Sequence, residues 1–441
     1  MSRFARFCAA ALLTAAAALP GRAATEVQVV TSPGGIEAWL VEEPSIPMLA
    51  LEIRFRTGDA GEAEALTGVT SFMASLLDEG AGELDAAAFE AAADRLALRM
   101  GFSSSVESFA VSARMLSEKR GDSLALLKSA LSAPRFDVAA VERVRARLLA
   151  SIRSRATDDG WLASNAWRSA LMPGHPFART SSEATIAAVT AEDLEAARRV
   201  ALNRRDVVVT AVGDITAEEL GPILDELLGD LPEGPLPDVP APQLSQDRGV
   251  VVVDLDVPQS TVRMVQEGIG REDPDFFAAH VMNRILGGGG FSSRLTVEVR
   301  QKRGLTYSVG SGLGGFETAP LIFASFATSN DRVAEAMAVV RAEWERMAEG
   351  GATVEELEAA KAYMTGAYPL RFDSNAKIAG LLAAVKQDDL DPGYIARRNG
   401  YIEAVTVQDV ARVAARLLDA ERLLTVVVGR PEGVETTLDG S

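Results

Sequence analysis

The sequence predicts an α+β protein made of two similar α/β-sandwich domains, each with a mostly antiparallel sheet covered by helices. Three observations support this fold class. Short motifs repeat at a constant spacing, both halves show the same order of strands and helices, and a proline-rich segment separates them. Strands segregated from runs of helices favour α+β over a regular α/β alternation. A chain of 441 residues is long enough for two to four domains of about 150 residues each.

The repeat has a period of 216 residues. A Val-Thr-x-x-Asp motif occurs near the end of each half, a strand ending in Val-Gly follows each copy, and a similar helix start precedes each copy. The matched pairs are Val138 and Val354, Thr190 and Thr406, and Gly213 and Gly429. Three matches at one spacing without gaps indicate an internal duplication.

Within each half the predicted elements follow one order. A strand pair opens the half, a helix rich in small apolar residues follows, more strands and long amphipathic helices come next, and a final strand closes it. In the first half these are strands 36–40 and 49–56, helix 67–77, amphipathic helix 138–155 and strand 206–212. In the second half they are strands 249–254 and 260–268, helix 276–286 and strand 423–428.

A proline-rich segment, residues 232–246, joins the halves. It contains five prolines and has neither a helical nor a strand period, which is typical of an extended, semi-rigid linker. The predicted organisation is a signal peptide at 1–23, an N-terminal domain at 24–231, the linker at 232–246 and a C-terminal domain at 247–441.

The signal peptide is predicted from a basic start, an apolar run at residues 7–19, and the small Gly21 and Ala23 before the cleavage site. An apolar run of 13 residues is too short to span about 30 Å of hydrocarbon, which argues against an uncleaved anchor. Cleavage would remove Cys8, the single cysteine. No later segment is long and apolar enough to cross a bilayer, so we expect a periplasmic protein without a membrane span.

The composition excludes several functional classes. Hydrophobic residues make up 48% of the chain and charged residues 24%, so disordered, collagen-like and coiled-coil proteins are excluded. The formal net charge of −18 repels phosphate backbones and anionic lipid, which disfavours nucleic-acid binding.

The chain has only two histidines, His175 and His280, which are far apart in the sequence. A hydrolytic zinc site takes three protein ligands from His, Cys, Glu or Asp, so the usual zinc sites cannot be assembled. His175 lies in a Pro-Gly-His-Pro turn and His280 on an apolar helix, and both are predicted to be structural or surface residues. Neither is accompanied by a nucleophile elbow, which argues against a Ser-His-Asp arrangement. An all-carboxylate metal site stays open, although no acidic loop of the calcium-binding type is present.

A run of four glycines in the second half is predicted to form a flexible surface that another backbone can approach closely. The run consists of Gly287, Gly288, Gly289 and Gly290. It lacks the Lys-Ser/Thr pair that follows a phosphate-binding loop, so a nucleotide site is only weakly indicated.

Just after the glycines, Arg300 and Tyr307 flank a helix end, a turn at Gly304 and the entry to a strand. Both side chains donate hydrogen bonds and are suited to holding a peptide carbonyl. Taken alone, this spacing favours the simpler interpretation of a surface ion pair and a buried tyrosine.

With these motifs the chain resembles the pitrilysin, insulinase and mitochondrial-processing-peptidase family over nearly all of its length after the signal peptide. The string LGGGGFSSRL…VRQKRGLTY is similar to the signature of the family's second domain, in which an arginine and a tyrosine seven residues later bind substrate. The resemblance therefore implies substrate-binding roles for Arg300 and Tyr307. The turn at 173–177 and the strand end at 212–214 are also similar to family features.

The metal motif of that family is altered in this chain. Active members carry H-x-x-E-H on an early helix of the first domain and a glutamate ligand about 75 residues later. The resemblance puts Ser71 and Ser75 at the histidine positions, Ala74 at the general base and Ser151 at the later ligand. A serine hydroxyl is a poor zinc ligand and alanine cannot activate water, so we expect no catalytic residue and no metal ligand here.

The resemblance implies the non-catalytic subunit of a two-chain periplasmic zinc metallopeptidase. A homologous partner subunit would supply H-x-x-E-H and zinc, while this chain would hold no cofactor and would bind an unfolded peptide. One alternative is a structural or peptide-binding scaffold of the same fold with no part in proteolysis. Another is a homodimeric hydrolase with an unfamiliar metal site. The sequence does not identify the peptide.

Overall fold

The computed structural model describes residues 26–438, which form one mixed sheet in each half of the chain. The predicted signal peptide, with Cys8, lies outside the described residues. The strands of the first half are β1 (Gln28–Thr31), β2 (Glu37–Glu42), β3 (Met48–Phe55), β4 (Gly80–Ala81), β5 (Leu84–Asp85), β6 (Arg99–Ser104), β7 (Phe109–Leu116) and β8 (Val208–Gly213). Those of the second half are β9 (Val250–Val253), β10 (Gln259–Glu267), β11 (Val309–Phe316), β12 (Ala319–Ser329) and β13 (Leu424–Val428).

The two sheets share one topology. The first has the order β1-β2-β8-β3-β7-β6, and the second, starting from its β9 edge, has the order β9-β13-β10-β12-β11. Apart from the additional edge strand β1, every strand of these two sheets has a counterpart in the other sheet, whereas β4 and β5 form a separate antiparallel pair. The last strand of each half pairs parallel with one neighbour, β8 with β2 in the first half and β13 with β9 in the second. All other neighbouring strands of the two sheets are antiparallel. The shared topology confirms the predicted fold class, two similar α+β halves with mostly antiparallel sheets.

Helices cover these sheets in both halves. The first half contains α1 (Val69–Ala74), α2 (Ala86–Leu96), α3 (Arg120–Ser132), α4 (Val138–Arg155), α5 (Asp159–Leu171), α6 (Glu183–Ala188), α7 (Ala191–Ala201) and α8 (Ala217–Leu228). The second half contains α9 (Phe276–Asn283), α10 (Val333–Gly350), α11 (Val354–Gly366), α12 (Asn375–Gln387), α13 (Tyr394–Ala404) and α14 (Val407–Leu417). Among the described residues, no helix is long and apolar enough to cross a membrane.

The repeated Val-Thr-x-x-Asp motif begins equivalent helices in the two halves. Thr190 precedes α7 and Thr406 precedes α14, and each threonine hydroxyl accepts a hydrogen bond from the backbone N–H of the aspartate three residues later. The carboxylates of Asp193 and Asp409 accept from the threonine N–H at 2.9 and 3.0 Å. This reciprocal capping satisfies two N–H groups that a helix start leaves without partners.

One face of each sheet packs against helices of its own half, and the opposite face is covered by a helix from the other half. Helix α5 lies on β10 and β13, and helix α12 lies on β3 and β8. Ala163 of α5 and Leu382 of α12 are fully buried in these contacts. The starts of the two helices, Asp159 and Asn375, are separated by the period of the repeat. The two halves thus exchange equivalent helices, and the exchange joins them through buried apolar surface.

The proline-rich segment lies extended against the first half, with neither helix nor strand. The N–H of Ser245 donates to the carbonyl of Leu171 at 2.8 Å, and Nε2 of His175 lies 2.9 Å from the carbonyl oxygen of Pro240. His175 is therefore a structural residue of this contact, as its position in a turn predicts.

The helix predicted over 67–77 is shorter in the structure and spans Val69–Ala74. It begins at Gly68, whose φ of 96° is left-handed and non-helical. A tighter turn follows Ala74, in which the N–H of Leu76 donates to the carbonyl of Met73. The amphipathic helix predicted over 138–155 is present with those bounds as α4. The other predicted strands and helices are found within a few residues of their expected bounds.

Candidate functional site

Helix α1 carries the position that the resemblance assigns to the metal motif, and a partly buried carboxylate, that of Glu62, fixes its start. Both carboxylate oxygens of Glu62 accept hydrogen bonds from the helix start, from the N–H of Gly68 at 2.6 Å and from the N–H of Thr70 at 2.7 Å. A side chain at Gly68 would also collide with Ser181 from the loop before α6. These contacts hold α1 against the loop that precedes it.

The four altered positions do not converge on one point. Oγ of Ser71 lies 2.7 Å from Oγ of Ser104, and Ser75 donates its hydroxyl to the carbonyl of Ser71 at 3.0 Å. Ala74 is buried in the core of the first half, and Ser151 is exposed on α4. Of the four, only Ser71 lines the cavity beside α1.

This donor set does not fit zinc. The ion takes neutral nitrogen, thiolate or carboxylate ligands, whereas these positions offer three hydroxyls and a methyl group. Within residues 26–438, no group of three or more His, Cys, Asp and Glu side chains is placed to hold a metal ion.

The cavity beside α1 has a volume of about 190 Å³ and contains two carboxylates, Asp59 and Glu62. Burial raises the pKa of Asp59, against the lowering effect of hydrogen bonds from Ser104 and Ser71. Burial, together with the nearby charge of Asp59, raises the pKa of Glu62 to about 7. Oδ1 of Asp59 is buried without a hydrogen-bond partner among the described residues. These two carboxylates were not predicted from the sequence, because their Gly-Asp-Ala-Gly-Glu loop has no ligand-like spacing.

The structure brings Arg300 and Tyr307 together. The guanidinium carbon of Arg300 lies 4.9 Å from the ring centroid of Tyr307 and 4.9 Å from that of Phe291. The two rings are 85% and 71% exposed, so the simpler interpretation of a buried tyrosine is wrong. In the part of the chain described, Arg300 forms no ion pair, whereas the neighbouring Lys302 and Arg303 both pair with Glu298. The aromatic faces thus hold a guanidinium whose N–H groups stay available.

Phe291 is a third member of this surface that the sequence did not identify as a binding residue. It follows directly after the last glycine of the run, and its carbonyl accepts a hydrogen bond from the side chain of Gln301 at 2.8 Å. The signal available in the sequence was an aromatic residue inside the string LGGGGFSSRL, which resembles the family signature. The three residues Phe291, Arg300 and Tyr307 are called the aromatic–arginine surface below.

The glycine run is a packed helical turn rather than the flexible surface predicted for it. It continues α9 as a wide helical turn over Arg284–Gly288, and a short turn over Gly290–Ser292 follows. Gly287 and Gly289 are buried. A Cβ at Gly287 would lie 2.5 Å from the backbone nitrogen of Ser311 in β11, so only glycine allows this approach. Gly288 and Gly290 are exposed and present backbone to solvent.

The fold and the altered metal position define a class: a duplicated, peptidase-like protein without the usual metal ligands. Residues 188–364 match the family model of the Peptidase M16 inactive domain. The Helicobacter pylori protein named Non-peptidase homolog YmxG is 26% identical over 333 residues, which cover 75% of this chain and 77% of that protein. An uncharacterized zinc protease of Streptomyces coelicolor is 25% identical over 420 residues, which cover 91% and 89% of the two chains.

A solved structure described as a peptidase M16 inactive domain from Pseudomonas fluorescens has a TM-score of 0.86 to this chain at 27% sequence identity. The match covers 94% of this chain and 100% of that one. The chain is thus similar in sequence and fold to the M16 peptidases, the family that its sequence resembles, including a relative named as a non-peptidase homolog and a structure described as an inactive domain.

Proposed function

We propose that this chain is the non-catalytic subunit of a heterodimeric periplasmic zinc metallopeptidase. The aromatic–arginine surface binds an unfolded peptide, and a homologous partner subunit supplies the H-x-x-E-H motif and the zinc. The observation that carries the proposal is the unpaired Arg300 held between the exposed rings of Phe291 and Tyr307, in a chain whose own metal position lacks ligands among the described residues.

The chemistry of the surface supports peptide binding. The guanidinium of Arg300 and the hydroxyl of Tyr307 are both donors, and a backbone carbonyl of an extended peptide offers two lone pairs to accept from them. Each aromatic ring provides an apolar face for side chains of the peptide. Because the rings already orient the guanidinium, less side-chain entropy is lost when the peptide binds.

The relatives support a division of roles between two chains. Proteins named as zinc proteases and one named as a non-peptidase homolog both match this chain over most of its length. Positioning by a second chain is a substantial effect, since displacement of a substrate by 1 Å can cost about 100-fold in rate. The basic and apolar N-terminus supports the periplasmic location.

The test is reconstitution with a zinc-bearing M16 homologue from the same organism. The purified partner alone, this chain alone and the mixture are assayed for cleavage of an unstructured peptide, with and without chelator. We expect activity only in the mixture, and Arg300→Ala should lower kcat/KM by about tenfold or more, the effect of losing one hydrogen bond to a charged group. Tyr307→Phe keeps the ring and removes only the hydroxyl, so we expect a smaller loss.

Arg205→Ala is the matched control, because Arg205 is exposed in the first half and its side chain forms no hydrogen bond, ion pair or ring contact in the described residues. Full turnover by a complex containing both Arg300→Ala and Tyr307→Phe would contradict the proposal. Co-purification with a partner that stays inert would instead favour the scaffold alternative. Stoichiometric zinc in this chain alone would favour the homodimeric hydrolase.

A further inference from the structure

A second cavity lies in the C-terminal half, between α9, α11 and α13, with a volume of about 160 Å³. It is the repeat counterpart of the cavity beside α1. Leu148, Ile152 and Arg155 line the first cavity, and the residues one repeat period later line the second: Met364, Tyr368 and Arg371. The first cavity contains the carboxylates of Asp59 and Glu62, whereas no acidic side chain lines the second.

Three arginines line the second cavity without a counter-charge: Arg284, Arg371 and Arg398. Within residues 26–438, none of them forms an ion pair. Arg398 is only 8% exposed, and its Nη1 donates to the carbonyl of Met364 at 3.2 Å and to Oδ1 of Asn399 at 3.1 Å. Arg284 is half-buried and Arg371 is exposed. Buried charges in proteins are normally paired, so Arg398, the buried member of the three, lacks a counter-ion.

The electrostatic environment of His280 is also dominated by the positive charges of arginines. Burial lowers the pKa of this histidine to about 4, and the charges of four arginines act in the same direction. His280 is therefore neutral at pH 7, and it adds a possible hydrogen-bond donor without adding charge.

Tyr368 provides an independent indication of a missing acceptor. The residue is 7% exposed, and its hydroxyl is buried without a hydrogen-bond partner among the described residues. A buried tyrosine hydroxyl usually has a partner. The guanidinium of Arg398 lies 4.3 Å from the centroid of the Tyr368 ring, so the unsatisfied hydroxyl and the unpaired arginines belong to one cavity.

We propose that this cavity binds an oxyanion, namely a carboxylate carried by a peptide. Three guanidinium groups and a phenol are complementary to a carboxylate, which accepts several charge-assisted hydrogen bonds at once. A volume of this size has room for the end of an acidic side chain or for a peptide C-terminus. Gly288 lines the cavity, and Nη1 of Arg284 donates to its carbonyl at 2.9 Å, so the cavity adjoins the glycine run. That the carboxylate belongs to a peptide rests on the proposed function, whereas binding of an oxyanion does not.

Titration calorimetry on this chain alone tests the proposal without a partner subunit. The probes are one short peptide with a blocked N-terminus in three forms. The first form has a glutamate and an amidated C-terminus. The second has glutamine instead of the glutamate and the same amidated C-terminus, so it carries no carboxylate. The third has the glutamine and a free C-terminal carboxylate. We expect either carboxylate to improve affinity by about tenfold over the uncharged peptide, the effect of one charge-assisted hydrogen bond. Whichever of the two carboxylate forms binds more tightly shows whether the cavity takes an acidic side chain or a peptide C-terminus.

Two variants locate the binding. Arg371→Gln should abolish most of the preference, and its exposed position makes a folding defect unexpected. Tyr368→Phe should weaken carboxylate binding several-fold without lowering the melting temperature, because its hydroxyl has no protein partner to lose. Arg205→Gln is the control and should behave as the wild type.

Equal affinity for all three peptides would overturn the proposal, as would a carboxylate preference that survives in both variants. Inorganic phosphate is the fourth probe, and its binding in preference to every peptide would overturn the peptide assignment. Failure of the reconstituted peptidase with an intact carboxylate preference would refute the proposed function alone.

Discussion

The partly buried carboxylate of Glu62 should make the stability of this protein depend on pH in a way that a single substitution reveals. The side chain accepts two backbone hydrogen bonds at the start of α1, yet its pKa is raised from 4.5 to about 7 because burial and the charge of Asp59 disfavour ionisation. This difference corresponds to about 3 kcal/mol of folding free energy. The folded state binds the proton more tightly, so the contribution is fully present below pH 4.5 and is lost as the pH rises through 7.

The test is urea unfolding of the wild type and of Glu62→Gln between pH 4.5 and pH 8. Glutamine cannot ionise, and it keeps one of the two acceptors, so it carries a constant cost at every pH. We expect the stability of the variant relative to the wild type to increase by about 3 kcal/mol across this range, mostly below pH 7. Asp59→Asn should reduce the increase, because it removes the neighbouring charge.

Glu192→Gln, at an exposed position of α7, controls for the substitution itself. A difference between Glu62→Gln and the wild type that stays constant with pH would refute the reasoning. A difference that changes in the opposite direction would mean that the hydrogen bonds to Gly68 and Thr70 outweigh burial.

Two further predictions concern the packing of the second half. Leu382→Ala should destabilise the protein by about 2–5 kcal/mol and increase proteolysis between the halves, since this side chain is buried where α12 covers the first sheet. The control Leu370→Ala, at a position 74% exposed, should change stability by less than about 0.5 kcal/mol, and an equal loss in both would contradict the helix exchange. Gly287→Ala should cost about 1–3 kcal/mol in urea unfolding, because its Cβ meets the backbone of Ser311. A Cβ at Gly290 would meet no other atom, so Gly290→Ala is opposed only by the positive φ of that residue. A larger loss of stability in Gly290→Ala than in Gly287→Ala would refute the packing argument.

Much of the fold follows from local sequence patterns. Alternating and continuous apolar runs predicted strands such as β3 and β10 to within a residue or two. The repeated Thr-x-x-Asp motifs at Thr190 and Thr406 indicated the duplication, and both begin helices because capping needs only residues three apart. Arg300 and Tyr307 were identified together through the family resemblance, and one turn at Gly304 is enough to bring them into contact.

Other features depended on contacts between distant segments. An amphipathic pattern indicates that one face of α5 or α12 is buried, but not that the sheet of the opposite half buries it. Asp59 and Glu62 look like ordinary loop carboxylates until α1 and α5 enclose them. Arg371 and Arg398 likewise belong to separate elements, and neither has a sequence neighbour that predicts the other.

The sequence by itself determined the duplication and the order of strands and helices, and its resemblance to a family pointed to the altered metal positions and to Arg300 and Tyr307. These features are set by residue type and by spacing along the chain. Only the tertiary structure decided which helix covers which sheet, how the glycine run packs, and what charge each of the two equivalent cavities contains. Burial and electrostatic environment are properties of surfaces assembled from segments far apart in sequence, and the same carboxylate or guanidinium acquires its chemistry only when those surfaces meet.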